Sequence, residues 1–428
     1  MAPDESDRLS ADDARILGLE SASITGHTLK LVVLEPGAGA LDLEALRSAV
    51  VRRLPSQPRA THRVDTSGPE PRWVPAGDFD IREHVRRRVD ARCTSTTDLW
   101  RIVSALMSEH LDRSRPLWTF DVIGPLADGR EAIAARIHHA MADGIAGVRF
   151  LNSVLFGPRQ EAASASEKSP GQHDSTVLTP LEEARRMPAA LMRELGHPDD
   201  YSPFDRPVTI ARELAFAVAP LAEFKAIGGS RPAAATVNDV LLAVITGGLR
   251  RWLGAAGARN LRAQIPVSLH HRDEAAGDLA NRDSFLNIDL PLADSDPLRR
   301  LDKISAETRE RKRLDDADEM YDLFHALGCI KRVGAVAQRL AGSAHEFSLS
   351  ISNVPGPRDP VQVTGRRVQN LFSSSEPAAH HALRISAISC AGDIGIGLCT
   401  DPTALPDIAA LAGCVEAAYD ELRGAAGI

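Results

Sequence analysis

The stretch His138-His139-Ala140-Met141-Ala142-Asp143-Gly144 joins two segments with different hydrophobic periods. The run before it, 131–137, is apolar and predicts a short strand. The run after it, 145–151, has apolar residues at helical spacing and predicts a helix. Two histidines therefore lie where a strand ends, and an aspartate and a glycine lie where a helix begins.

This strand-turn-helix pattern predicts separate roles for its polar residues. Successive strand side chains face opposite ways, so only one of His138 and His139 is expected to point into a given cavity. Asp143 can cap the first amides of the helix, and Gly144 permits a close backbone approach or a positive φ. An imidazole at a strand end is a candidate general base, although a buried histidine can also be purely structural. The complete pattern of two histidines followed by Asp-Gly favours a functional site.

Length and composition limit the classes of protein that fit. A chain of 428 residues is long for one core, which predicts two packed domains. The hydrophobic fraction of 43% and the charged fraction of 25% are typical of a globular protein. A formal net charge of -8 argues against general nucleic-acid binding, which requires a basic face.

Sequence features also indicate a cellular compartment. No stretch approaches 18 uninterrupted apolar residues, and the acidic N-terminus does not resemble a signal peptide. The five cysteines are odd in number and scattered, so neither a disulfide framework nor a zinc site is expected. We expect a cytoplasmic protein whose contact with a membrane or a lipid droplet, if any, is peripheral.

The alternation of helices and strands predicts an α/β or α+β fold in two domains. Residues 1–156 form the predicted first half, which carries the HHAMADG stretch. Residues 157–207 are predicted to be a linker and a crossover helix, because 157–180 are rich in Pro, Gly, Ser and Glu. Residues 208–428 form the predicted second half.

The sequence lacks the motifs of several familiar catalytic sites: GxSxG, GxGxxG, a Walker A sequence and HExxH. A histidine without an adjacent nucleophile is suited to deprotonating an incoming hydroxyl, amine or thiol. The acyl donor would then have to be activated already, as a thioester is, and transfer would be direct. Asn238, Ser352 and Asn353 are candidate donors for the oxyanion, with helix capping or strand-end turns as the alternative. The pairs His270-His271 and His380-His381 lack Asp-Gly, and no ligand spacing predicts a metal site.

Several segments, taken together, resemble one family. HHAMADG is similar to the HHxxxDG motif of coenzyme A-dependent acyltransferases and peptide-synthetase condensation domains. Further blocks resemble the bacterial wax ester synthase/diacylglycerol acyltransferase family: LSADDARILGLES near the start, PRWVPAGDFDIREHV at 71–85, RSRPLW at 113–118, TVNDVLLA at 236–243, PVSL at 266–269 followed by Asn281-Arg282, and SNVPGP at 352–357. These blocks occur in the family's order and span nearly the whole chain.

The resemblance implies two chloramphenicol-acetyltransferase-like sandwiches with an active-site tunnel at their interface. It implies a long-chain acyl-coenzyme A-dependent O-acyltransferase that esterifies diacylglycerol, a fatty alcohol or both, with acyl-coenzyme A as co-substrate and no cofactor. For the HHAMADG motif, the resemblance implies that His139 is the general base, that His138 faces away and that Gly144 is a motif residue. It implies that Asp143 holds the turn through a salt bridge with Arg272 or Arg358.

The resemblance also implies roles for residues outside that motif. Asn238 and Asp239 would lie at the seam near His139, and Ser352 and Asn353 would lie on the tunnel. Pro116, Leu117 and Trp118 would shape the acyl channel or the packing beside it.

One segment departs from the family pattern. Residues 373–386 (SSSEPAAHHALRIS) are more polar than the family's usual apolar stretch with a glycine, so the acceptor preference is open. Two alternatives to the main function also remain. One is a carrier-protein-dependent or polyketide-associated acyltransferase of the condensation type, and the other is a non-catalytic lipid-binding homologue.

Overall fold

The computed structural model describes residues 8–68, 70–89, 93–157, 202–254, 261–268, 283–313 and 347–428. In the first part of the chain the helices are α1 (Ala11–Leu19), α2 (Leu43–Arg53), α3 (Ile81–His84), α4 (Thr96–Met107) and α5 (Gly144–Val154). The strands there are β1 (His27–Leu34), β2 (His62–Asp65), β3 (Arg72–Pro75), β4 (Val85–Arg87), β5 (Trp118–Ile123) and β6 (Glu131–His138). Short 3-10 turns lie at Leu54–Ser56 and Pro58–Thr61.

The later part of the chain supplies a second set of elements. Its described helices are α6 (Leu221–Gly229), α7 (Val237–Leu253), α8 (Pro297–Arg313) and α9 (Ile408–Ala425). Its described strands are β7 (Glu213–Pro220), β8 (Leu261–Ser268), β9 (Asp283–Leu290), β10 (Leu349–Val354), β11 (Gln362–Val363), β12 (Arg366–Ser375), β13 (Leu383–Cys390) and β14 (Asp393–Thr400). None of the described helices is both long enough and apolar enough to cross a membrane.

The strands form two six-stranded sheets and a separate β2–β3 pair. The first sheet has the order β11-β12-β1-β6-β5-β4, and the second has the order β7-β14-β13-β10-β8-β9. In the second sheet β10 runs parallel to both β8 and β13. Helices pack on these sheets in each half, which confirms the predicted two-part α/β fold.

The apolar faces of the elements decide how the layers pack. Helix α4 buries Leu99, Ile102, Val103, Leu106 and Met107, as its helical spacing predicts. These side chains pack on one face of the first sheet, and the other face packs against α2 and α5. The second sheet packs mainly against α7 and α9.

Local capping signals account for several helix boundaries. Ser10 accepts a hydrogen bond from the Asp13 amide, as predicted for the first helix. The apolar spacing of 98–111 predicts a helix, and the helix begins earlier, at Thr96, because Ser95 and Asp98 form a capping box. The apolar spacing of 405–422 predicts a last helix, which begins at Ile408 because the preceding Asp407 supplies the cap. Residues 158–201, which make up most of the predicted linker and crossover helix (157–207), lie outside the described residues.

The strand β12 changes the predicted division of the chain. It lies within 208–428, yet it pairs antiparallel with β1 of the first sheet, and β11 extends the same edge. The second half is therefore not self-contained, since it completes the sheet that carries the HHAMADG stretch. The residue pattern of 367–372 predicts a strand there, but it contains no information on which strand is its partner.

Two glycines allow β12 to lie across the second sheet. A Cβ on Gly395 would stand 2.1 Å from the Leu371 carbonyl oxygen, and a Cβ on Gly397 would stand 2.1 Å from the Ser373 carbonyl oxygen. Both distances are far below normal van der Waals contact. The GDIGIG stretch at 392–397 therefore serves close packing of the backbone between the halves.

This packing predicts a position-specific loss of stability. Gly395→Ala should lower the free energy of unfolding by about 3 kcal/mol, because β12 has to move away from β14. Urea denaturation of the full chain measures the change. The matched control is Gly413→Ala on the exposed face of α9, where a Cβ meets nothing within 4 Å. That variant should be as stable as the parent or more stable by up to about 1 kcal/mol. Equal stability of the two variants would contradict the packing argument.

Candidate active site

The HHAMADG stretch forms a tight turn between β6 and α5. The Met141 and Ala142 amides both donate to the His138 carbonyl oxygen, at 2.9 and 3.2 Å. The His139 amide donates to the Gly26 carbonyl oxygen at 2.8 Å, and the His138 amide donates to that of Leu117 at 3.0 Å. The turn is thus held by its own backbone and by the segments that flank it in the sheet.

His138 lies on the face of the first sheet that carries α4. It pairs with His27 of β1 and is almost fully buried, at 1% exposure. Its Nδ1 accepts a hydrogen bond from the Ala140 amide at 3.0 Å, and its Nε2 lies 3.7 Å from a carboxylate oxygen of Glu20. This ring therefore supports the turn from behind, with Nδ1 as the hydrogen-bond acceptor.

His139 follows in the chain and faces the opposite side of the sheet. It is half-buried, and its charged neighbours are Lys30 of β1 and Arg384 of β13. Burial, together with the positive charges of Arg384 and Lys30 and the nearby His138, lowers the pKa of His139 to about 3. The imidazole is therefore neutral near pH 7 and is able to accept a proton.

Asp143 is the N-cap of α5. Its side chain accepts a hydrogen bond from the Ala146 amide at 2.7 Å, and the residue is 2% exposed. Of the two predicted salt-bridge arginines, Arg358 is exposed and Arg272 lies outside the described residues. The Asp143 charge acts on Lys30: burial lowers the pKa of Lys30, the Asp143 carboxylate raises it, and the net value is about 8.

Gly144 marks the point where the two halves meet. It is the first residue of α5, and a Cβ there would stand 3.0 Å from Cγ2 of Val354. Two roles were predicted for Gly144, a close backbone approach or a positive φ. The structure supports the close approach, because the φ angle of Gly144 is not positive. Val354 ends β10 of the second sheet and belongs to the SNVPGP block.

The comparisons with known proteins agree with this architecture. Residues 9–197 match the model of the wax ester synthase/diacylglycerol acyltransferase catalytic domain, and residues 279–423 match that of the WS/DGAT C-terminal domain. A putative diacylglycerol O-acyltransferase of Mycobacterium tuberculosis is 30% identical over 448 residues, covering 94% of this chain and 88% of the relative. The chain belongs to the wax ester synthase/diacylglycerol acyltransferase family.

Other relatives and solved structures support the same conclusion. A probable diacylglycerol O-acyltransferase of Mycobacterium tuberculosis is 28% identical, covering 89% of this chain and 88% of that protein. The wax ester synthase/diacylglycerol acyltransferase of Marinobacter aquaeolei VT8 has a TM-score of 0.73 at 22% identity, covering 99% and 100% of the two chains. The first condensation domain of the CDA synthetase has a TM-score of 0.64 at 17% identity, covering 98% and 96%. The chain is thus an acyltransferase of this family, with a fold shared by condensation domains.

The Pro116-Leu117-Trp118 segment of this family member packs beside the HHAMADG turn. All three residues are buried, and the Leu117 carbonyl oxygen accepts the His138 amide. Trp118 donates from Nε1 to the Ala60 carbonyl oxygen at 2.8 Å and stacks on His84 with ring centroids 4.6 Å apart. Of the two predicted roles, these contacts support packing beside the site.

Asn238 and Asp239 lie in the first turn of α7. Thr236 is the N-cap, and Asp239 completes a capping box with it. The second oxygen of the Asp239 carboxylate accepts a hydrogen bond from the Thr308 hydroxyl of α8 at 2.6 Å. Asp239 therefore connects two helices of the second half, and these contacts support a structural role rather than substrate binding. Asn238 is half-buried.

Ser352 and Asn353 are neighbours on β10 and so face opposite sides of the second sheet. Ser352 lies on the same face as Val354, which reaches α5, and its hydroxyl is 3.1 Å from that of Ser386. Asn353 shares the other face with Ile351, which packs into the core of the second half. The structure therefore separates two residues that the sequence had grouped.

The remaining histidine pairs do not join the site. His380 is exposed, whereas His381 is buried, lies 3.1 Å from Asp205 and stacks on Phe347. His270-His271 falls outside the described residues. Within the described ranges, no group of three His, Cys, Asp or Glu side chains is arranged to hold a metal ion.

Sequence reasoning missed Lys30 and Arg384, the two cations beside His139. Each is a single charge within an otherwise apolar or small-residue strand, HTLKLVVL and LRISAISC. A buried strand rarely contains a charge without a partner or a function, so this signal was available. The sequence does not show that β1 and β13 converge on the same turn.

The electrostatics of the turn predict that His139 stays neutral through the physiological range. Since its pKa is about 3, its imidazole carbon shift should not titrate between pH 8 and pH 5. Histidine-selective carbon labelling measures this, with His139→Gln identifying the resonance and free histidine serving as the control. A titration midpoint near pH 6.5 for His139 in the folded protein would contradict this assignment.

The same pKa shift predicts how stability depends on pH. The pKa of His139 in the folded protein lies below the usual 6.5, so the unfolded chain binds a proton first as the pH falls. The free energy of unfolding should therefore decrease below about pH 6.5.

Proposed function

We propose that this chain transfers a long-chain acyl group from acyl-coenzyme A to the hydroxyl group of a lipid alcohol. The acceptor class is diacylglycerol, which gives triacylglycerol, or a fatty alcohol, which gives a wax ester. The single observation that carries the proposal is the position of His139, a neutral, half-buried imidazole where the two halves meet. The family, and relatives named as diacylglycerol O-acyltransferases, support this substrate class.

The proposed reaction is a direct transfer with His139 as general base. The imidazole takes the proton of the acceptor hydroxyl while the oxygen attacks the thioester carbonyl carbon. The tetrahedral intermediate then collapses, the carbon–sulfur bond breaks, and the proton passes from His139 to the leaving thiolate of coenzyme A. Acyl-coenzyme A acts as co-substrate, and no covalent acyl-enzyme is formed.

Other motif residues have supporting roles in this proposal. His138 and Asp143 hold the turn that aims His139, through the Ala140 and Ala146 amides. Ser352 is a candidate oxyanion donor because it faces the first half, and Asn238 is a second candidate at the start of α7. A hydroxyl or amide aimed at the developing negative charge is the usual device in acyl transfer.

Both proposed reactants carry long apolar chains. We therefore infer that the protein acts peripherally, at the inner face of the cell membrane or at a lipid droplet. An acyl chain has to leave the lipid phase to reach His139, so a surface encounter precedes each turnover.

Replacement of the proposed base tests the function. His139→Ala should lower ester formation from labelled palmitoyl-coenzyme A and dioleoylglycerol by about 10²- to 10⁴-fold, the usual contribution of a general base. His380→Ala is the matched control, because His380 is an exposed histidine outside the site, and it should retain parent activity.

Two further arms of this assay separate the alternatives. Palmitoyl groups on coenzyme A and on a carrier protein are compared as donors, and a clear preference for the carrier would replace the proposed donor. Undiminished activity of His139→Ala would remove the catalytic assignment. Tight acyl binding without turnover across alcohols, monoacylglycerol and diacylglycerol would instead indicate a lipid-binding protein.

A further inference from the structure

Glu376 lies directly after β12, in the polar segment 373–386 that departs from the family pattern. It is the one carboxylate of that segment. Its side chain is only 10% exposed, and it contacts the backbone of the first half just before β1. A carboxylate at this depth requires hydrogen-bond donors that replace the water it has lost.

Four donor groups of the described residues converge on the Glu376 carboxylate. The Gly26 amide donates to Oε1 at 2.5 Å, and the Thr25 amide donates to Oε2 at 2.8 Å. The Thr25 hydroxyl also donates to Oε2, at 3.2 Å, and the Arg212 guanidinium does so at 3.3 Å. Both carboxylate oxygens therefore hold the segment between α1 and β1, through hydrogen bonds that the negative charge strengthens.

Arg212 contacts the same segment from the second half. It directly precedes β7, and its side chain is fully buried. Its guanidinium donates to the Ser23 carbonyl oxygen as well as to Glu376. Arg212 and Glu376 thus compensate each other's charge while they hold residues 23–26. We call this group the Arg212–Glu376 clamp: Arg212, Glu376, Ser23, Thr25 and Gly26.

Gly26 connects the clamp to the HHAMADG turn. Its carbonyl oxygen accepts the His139 amide at 2.8 Å, at the point where β6 ends. Gly26 also lies against the ring of His138, since a Cβ there would stand 2.3 Å from His138 Nε2. A shift of Gly26 would therefore disturb the backbone of one histidine and the ring of the other.

We propose that Glu376 is a positioning residue for His139: its carboxylate fixes Gly26, and Gly26 fixes the backbone of the proposed base. The inference rests on the proposed acyl transfer and adds to it a residue that acts through another. The contacts of Glu376 run to backbone amides, a hydroxyl and a guanidinium, so its role is to aim the imidazole. A misplacement of about 1 Å in a reacting group can cost about a hundredfold in rate.

Removal of the carboxylate charge tests this role. In Glu376→Gln an NH2 group replaces one oxygen and faces an N–H donor, and the charge that pairs with Arg212 is lost. With palmitoyl-coenzyme A and dioleoylglycerol, we expect kcat to fall about 10- to 100-fold, while the KM of each substrate changes less than about twofold. A kcat equal to that of the parent would overturn the proposal.

Glu131 supplies a matched control at the opposite end of β6. It is fully buried, and its carboxylate accepts from the Leu41 amide and from Arg87, each at 2.6 Å. It also pairs with Arg366 of β12, so it too joins the two parts of the chain. Glu131→Gln should lower the free energy of unfolding in urea at least as much as Glu376→Gln, yet keep kcat within about twofold of the parent. Equal losses of kcat in the two variants would show a general effect of stability and overturn the positioning role.

Hydrogen exchange at the His139 amide gives a readout that does not require turnover. Selective nitrogen labelling of histidine resolves this amide, and His139→Gln identifies its resonance. Exchange at His139 should be about tenfold faster in Glu376→Gln than in the parent, because Gly26 is held less firmly, and unchanged in Glu131→Gln. Exchange at the parent rate in Glu376→Gln would overturn the proposal.

The two readouts separate failure of the inference from failure of the proposed function. If the parent forms no ester with any lipid alcohol, the proposed function fails, and the exchange rate still decides whether Glu376 holds the turn. If the parent is active and Glu376→Gln matches it in kcat and in exchange, the function stands and only the positioning role is removed.

Discussion

The pairing of β12 with β1 is the contact on which the active-site architecture depends. It brings a strand from the C-terminal part of the chain into the sheet that carries the HHAMADG turn. The same strand lies over β14, where Gly395 and Gly397 allow its backbone to come close. A single strand therefore fixes the distance between the two sheets, and the position of everything between them follows. Had β12 remained in the second sheet, Ser373 would not meet Lys30, and β1 would be an edge strand of the first sheet.

The adjacent residues His138 and His139 have different surroundings, because successive strand side chains face opposite sides of the sheet. His138 faces the α4 side, where Glu20 and the Ala140 amide hold its ring. His139 faces the other half of the molecule. Because the two side chains leave the strand in opposite directions, the support of the turn and the proposed proton transfer can be adjusted independently. Asp143 fixes the other end of the turn by capping α5.

The sequence was sufficient for the features that depend on local chemistry. The bounds of β1, the cap at Ser10 and the cap at Asp143 follow from hydrophobic period and side-chain hydrogen bonding. It was insufficient for the features that depend on which strands meet. The partner of β12 and the convergence of Lys30 and Arg384 on one turn are long-range properties, and the hydrophobic pattern of a single strand carries no register. Lys30 and Arg384 can therefore be recognised in the sequence as charged residues within strands, but their common position beside His139 cannot.

The low pKa of His139 connects these points to the reaction. A general base works best when its pKa lies near the working pH, and a value near 3 gives the correct protonation state with little driving force. A neutral lipid entering the site displaces water, and desolvation lowers the pKa of an imidazole further. The positive charges of Arg384 and Lys30 act in the same direction as burial. They therefore keep His139 in the form that can accept a proton, while they reduce its driving force for proton transfer.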